Sequence, residues 1–155
     1  MKVKNIIFED CVNYKKTSMF ISFPECSFKC DKECGQNVCQ NSELAKQKNI
    51  EISYKEIIDK YFSNDLTSAI VFGGLEPFDS WNDLYNLIHE FRNFTLDDIV
   101  IYTGYTEKEI CLYNLQKFPN IIIKFGRFVP NQQKHYDELL GVYLASDNQY
   151  AKKIS

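Results

Sequence analysis

No part of this 155-residue chain is basic enough to track a nucleic-acid backbone: 18 lysines and arginines face 21 aspartates and glutamates, a net charge of −3, with no long basic run. A nucleic-acid partner is therefore not expected. Nor does any stretch approach the roughly 18 consecutive apolar residues of a membrane span. At the start, MKVKNIIFEDCVNY places Glu9 and Asp10 where a secretory signal needs uninterrupted apolar residues. A cytoplasmic protein with no membrane partner is expected. Glycine and proline are scarce, six and four, and low-complexity tracts and internal repeats are lacking. A hydrophobic share of 45% and a charged share of 25% are ordinary for a globular chain, and the length suits one domain over residues 1–155.

Cysteine is what the chain has in excess, and it is unevenly placed. Four of six cysteines fall within CSFKCDKECGQNVCQN, residues 26–41, spaced C-x3-C-x3-C-x4-C. In a reducing compartment such a cluster binds metal or does chemistry more often than it forms disulfides. Structural zinc sites favour two close Cys pairs set far apart, so four consecutive thiols on one loop suit zinc poorly. Thiolates also hold iron–sulfur clusters, and a cluster with three protein ligands leaves one iron open to a substrate. Cys111 reads as a small buried hydrophobe in a helix, and Cys11 has no evident role.

Around this loop, short β-branched or aromatic runs alternate with amphipathic ones. Strands are expected over 18–23, 68–74, 98–105 and 120–126, and helices over 53–64, 80–93 and 107–118. That order predicts an α/β fold with a mainly parallel sheet. A closed eight-unit barrel takes about 250 residues. A partial, open (βα) barrel fits this length better, with a flat doubly wound sheet as the competing layout. Either arrangement gathers ligands at the C-terminal strand ends, where the cysteine loop, Gly73-Gly74 and Thr103-Gly104 all lie.

FPECSFKCDKECGQNVCQN followed by VFGGLEPF resembles the radical S-adenosylmethionine (SAM) enzymes. TGY at 103–105 and SDNQ at 146–149 extend the resemblance, across nearly the whole chain, to the small activating proteins of anaerobic ribonucleoside-triphosphate reductase. The family carries C-x3-C-x2-C, and here the third cysteine is displaced. Cys39 is followed by Gln40-Asn41, matching the family's trailing x-N, whereas Cys34 keeps the loop short without that signature. The resemblance thus implies a 4Fe-4S cluster on Cys26, Cys30 and Cys39, with Cys34 the competing third ligand. Val38 stands where the family often has an aromatic residue, and Leu75 is inserted within the GGEP-like turn.

The resemblance further implies that SAM is the second cofactor and that Gly73, Gly74, Glu76 and Thr103 bind it, with no catalytic residue beyond the cluster ligands. Glycines let backbone approach closely, and Glu76 would accept from the SAM ammonium. Lys124 and Arg127 are candidates for the SAM carboxylate or a partner. The implied activity is reductive cleavage of SAM to a 5′-deoxyadenosyl radical, which creates the glycyl radical of an anaerobic (class III) reductase. The implied partners are the reductase large subunit and a flavodoxin- or ferredoxin-type electron donor. An activase of another glycyl-radical enzyme, a zinc-binding interaction module and a four-thiolate electron carrier are the alternatives.

Overall fold

The computed structural model describes residues 1–155. Its centre is a six-stranded sheet built from β2 (Asn5–Asp10), β3 (Ser18–Phe23), β5 (Ala69–Gly74), β6 (Asp98–Tyr102), β7 (Ile121–Phe125) and β10 (Tyr150–Lys153), in the order β10-β7-β6-β5-β3-β2. The four inner strands run parallel, with Phe20 beside Val71, Val71 beside Val100 and Val100 beside Ile122. The two outer strands are antiparallel to their neighbours. β1 (Lys2–Val3) pairs with β4 (Ile50–Glu51), and β8 (His135–Asp137) with β9 (Val142–Leu144), in separate two-stranded sheets. The fold is mixed α/β with a mainly parallel sheet and no closed barrel.

Alternation along the inner strands assigns the two faces. Ile70 and Phe72, Ile99 and Ile101, and Ile121 and Ile123 point toward the larger core, where they meet α3 (Tyr54–Phe62) and α4 (Trp81–Arg92). α3 is capped by Ser53, whose side chain accepts from Glu56 N. It presents Ile57, Ile58 and Tyr61, and α4 presents Leu84, Leu87, Ile88 and Phe91 at the same helical spacing. The opposite residues Ala69, Val71, Val100 and Ile122 are covered by Tyr14, Leu140 and Leu144 instead. Both long helices therefore lie on one face, which corrects the flat doubly wound alternative, where helices cover both.

One expected helix is missing. Over 107–118 the chain forms turns and a short 3-10 segment, Leu115–Lys117. Glu109 is tied to residues on either side of this segment. Its carboxylate accepts from Thr106 N at 2.8 Å and from the Arg127 guanidinium at 2.9 Å, and no helix continues beyond that first turn. Cys111 is accordingly exposed and outside any helix, not buried in one.

Leu87 has no solvent exposure and sits centrally in the helix-side core. Leu87→Ala is expected to lower unfolding free energy by about 2–5 kcal/mol, the range for a buried leucine that leaves a cavity. A urea titration with an unchanged slope and a lower midpoint checks this.

Candidate iron–sulfur site

β3 ends at Phe23 and delivers the chain into the cysteine loop beside the turn that follows β5. Two backbone bonds stitch these segments together, Leu75 N to Phe23 O at 3.4 Å and Glu76 N to Glu25 O at 2.7 Å. Asp79 adds a side-chain link, accepting from Ser27 N at 2.6 Å and from the Tyr105 hydroxyl at 2.5 Å. One carboxylate thereby holds the cysteine loop, the turn after β5 and the turn after β6. Phe28 N donates to Cys26 Sγ at 3.2 Å. Phe28 itself has φ of 52°, a conformation that costs a bulky L-residue about 1–2 kcal/mol and that the surrounding bonds must maintain.

The long spacer after Cys30 folds back on itself. α1 (Lys29–Cys34) stops at Gly35, whose φ of 66° reverses the chain. Asp31 then captures the returning backbone: its Oδ1 accepts from Val38 N at 2.7 Å and Cys39 N at 2.8 Å. Asn41, in the stretch just after Cys39, donates from Nδ2 to Gly74 O at 2.5 Å and fastens the loop to the glycine turn. A short α2 (Ser42–Lys46) follows.

Cys26, Cys30 and Cys39 share the wall of one cavity of about 530 Å³ with Gly74, Glu76 and Thr103, and Cys34 is not in that wall. Two larger clefts, of about 1050 and 960 Å³, contain no cysteine. No three His, Cys, Asp or Glu side chains converge closely enough to bind a single metal ion. A closed zinc site gathers four donors at about 2.0–2.3 Å from the metal. A cubane instead places its thiolates on separate irons, farther apart, and three cysteines along one cavity wall suit that chemistry better. Burial pushes the Cys26 thiol up to about 11, opposed by the Phe28 amide, and Cys30 also titrates above the usual thiol range because it is buried. Those thiols are protonated at neutral pH until a metal displaces the proton.

Glu76 is the polar hub of the cavity, 6% exposed. Its carboxylate accepts from the Thr103 hydroxyl at 2.8 Å, Gly104 N at 2.8 Å and Phe78 N at 3.2 Å. Burial pushes it up to about 7 against those three bonds. A carboxylate has about four acceptor positions, so one remains for a ligand. The Thr103 hydroxyl is spent internally, donating to Glu76 and accepting from Tyr105 N at 3.0 Å. Lys124 also lines the cavity, with Nζ bonded to Gly126 O at 2.9 Å, and burial lowers it to about 8.

The two glycines have different places. Gly74, with φ of 81°, is in the cavity wall. Gly73 is not, and a Cβ on it would stand 2.8 Å from the Phe20 ring. Gln149 is buried and lines the cavity, bonded from Nε2 to Gly126 O at 3.2 Å, while Asn148 is exposed and bonds Arg127 O at 2.9 Å. His89 is exposed on α4, and neither histidine lines the cavity. Sequence reasoning passed over Asp31 and Asp79. Only their neighbourhood gave a signal, an acidic residue inside the enlarged spacer and another three residues after Glu76.

A family described as a 4Fe-4S single cluster domain matches residues 15–150 of the 155. Neither a curated protein nor a solved structure matches the chain.

Proposed function

This chain belongs to the 4Fe-4S single cluster domain family, and we propose that it is a radical SAM enzyme, an activase for an anaerobic ribonucleoside-triphosphate reductase. The observation that carries the reading is the shared cavity wall: three thiols and not the fourth, facing a glycine turn and a buried carboxylate. In this reading Cys26, Cys30 and Cys39 hold the cluster and one iron is left for SAM. Bound together, the two cofactors supply one-electron cleavage of the sulfonium to a 5′-deoxyadenosyl radical.

The polypeptide's own part is orientation and exclusion of water. Gly74 allows backbone to approach the methionine moiety, and the remaining acceptor position of Glu76 suits its ammonium. Lys124, buried with one partner for three donors, is matched to a carboxylate. The sheet, open along both edges and helix-covered on one face, is consistent with a partial barrel. Val12 and Tyr143, both exposed, belong to the cavity wall and mark where a polypeptide loop of the reductase would approach. A cytoplasmic setting and a flavodoxin- or ferredoxin-type donor complete the proposal. A four-thiolate carrier needs Cys34 in the same wall, and a zinc module needs donors gathered on one ion; neither arrangement is present.

Anaerobic reconstitution with iron and sulfide, reduction, addition of SAM and chromatographic assay of 5′-deoxyadenosine test the reading. Catalytic release of 5′-deoxyadenosine is expected, followed by a glycyl-radical signal when the reductase large subunit is added. Stoichiometric zinc in the isolated protein, with no SAM cleavage after reconstitution, would overturn it.

A further inference from the structure

Cys30 lies beneath a turn that the cysteine motif does not supply. The chain leaves β7 through Gly126, with φ of 98°, and its carbonyl accepts from Lys124 Nζ and Gln149 Nε2. Asn148 Nδ2 holds the next carbonyl, that of Arg127. The C-terminal SDNQ stretch therefore buttresses this turn, and Phe128 within it shares the cavity wall with Cys30.

Arg127 lines a small pocket together with Cys30, Cys26 and Gly104. From where a Cβ on Gly104 would stand, Arg127 Cγ is 3.4 Å away and Cys30 Sγ 3.8 Å, so the glycine lets the two close in. Arg127 is only 8% exposed. Its guanidinium donates twice to Glu109, at 2.9 and 2.5 Å, and lies 5.6 Å from the Tyr105 ring centroid. Nε stands 3.3 Å from Glu33 Oε1 on α1 yet has no hydrogen-bond partner. The cation is thus pinned from three segments, and its forked contact is one that lysine cannot reproduce.

We propose that Arg127 sets the reduction potential of the cluster, its fixed charge beside Cys30 favouring the one-electron-reduced form, with Glu109 limiting that effect. The inference rests on the cluster being held by Cys26, Cys30 and Cys39. Reduction by a low-potential donor adds one negative charge to the cluster. Potentials of such clusters follow local net charge, hydrogen bonds to sulfur and solvent exposure. A surface cation would be screened by salt; one this enclosed is screened much less.

The test is a dithionite titration of the reconstituted protein without SAM, with iron content measured and the reduced cluster read by electron paramagnetic resonance. In Arg127→Gln the reduced-to-oxidised ratio at a fixed poise should fall about tenfold, a shift of about 59 mV to lower potential. Arg127→Lys, which keeps the charge, should stay within about threefold of the unaltered protein, half that shift on the same scale. Glu109→Gln should move the ratio the opposite way. Opposite signs from the two halves of one ion pair mark a charge effect, because a purely structural role would cost iron in both and order neither. Unchanged potentials with iron retained overturn the proposal and leave the thiol assignment standing. Should Arg127→Gln take up no iron, Glu109→Gln decides: a ratio unchanged or lowered overturns the proposal. An unaltered protein whose Cys26, Cys30 and Cys39 variants all still bind iron overturns the cluster placement beneath it.

Discussion

Cys39→Ala is expected to abolish both stable iron incorporation and SAM cleavage, while Cys34→Ala retains both. The two thiols are five positions apart in the same loop, and spacing alone favours Cys34, which would keep the loop short. The folded loop favours Cys39. α1 ends at Gly35, and the Asp31 carboxylate draws the amides of Val38 and Cys39 back toward Cys30. Asn41 then locks that return onto Gly74. Losing a first ligand should cost more than the roughly 10–100-fold in metal affinity typical of an outer-shell change. Asp31→Ala, which removes such an outer partner, should fall within that 10–100-fold range. Iron and sulfide analysis of the four Cys→Ala proteins, with 5′-deoxyadenosine yield, checks the assignment. Retained iron and cleavage in Cys39→Ala, with loss in Cys34→Ala, would reverse it.

The trailing Asn was the sequence feature that favoured Cys39, and the structure supplies a mechanical meaning for it. A residue two positions after the thiol reaches a backbone carbonyl of the glycine turn, so its position is coupled to the thiol's. What the sequence could not show was how the spacer is accommodated. The capture of two amides by one Asp31 oxygen is a tertiary event with no periodic signal.

The same division runs through the fold. β3, β5, β6 and β7 were legible because strands buried on both faces read as continuous apolar runs, and α3 and α4 because their apolar stripe has helical spacing. β2, β8, β9 and β10 were not, since they are edge or hairpin strands with mixed burial patterns that only their pairing stabilises. The 107–118 segment has the composition of a helix, but an isolated segment of that length is marginal. Glu109 is instead held by Arg127 and Thr106. That ion pair holds its carboxyl down at about 2, so it stays charged through the neutral and mildly acid range.

Gly74→Ala should be among the most damaging single changes in the chain, and the reason is geometric rather than chemical. A residue other than glycine at φ of 81° pays about 1–2 kcal/mol for the left-handed backbone. Its Cβ would also stand 2.7 Å from both Cα and Cβ of Ser22 on the neighbouring strand. Backbone in a parallel pair cannot yield as a flexible side chain can. β3 and β5 would have to separate at the position where both strands enter the site, with Phe23 opposite Gly74. The Gly74 carbonyl that Asn41 holds would move with them. The combined loss should reach about 3 kcal/mol or more, a large part of the 5–15 kcal/mol that stabilises an ordinary domain. Gly35→Ala provides the control. Its φ is 66°, but no atom lies within 4 Å of the new Cβ, so only the backbone cost of about 1–2 kcal/mol applies. Urea unfolding of both variants, with iron uptake measured in parallel, should therefore separate them by about 1–2 kcal/mol or more, with cluster loading lost chiefly in Gly74→Ala. Equal destabilisation in the two would mean that β3 and β5 are not packed this closely at the mouth of the cysteine loop.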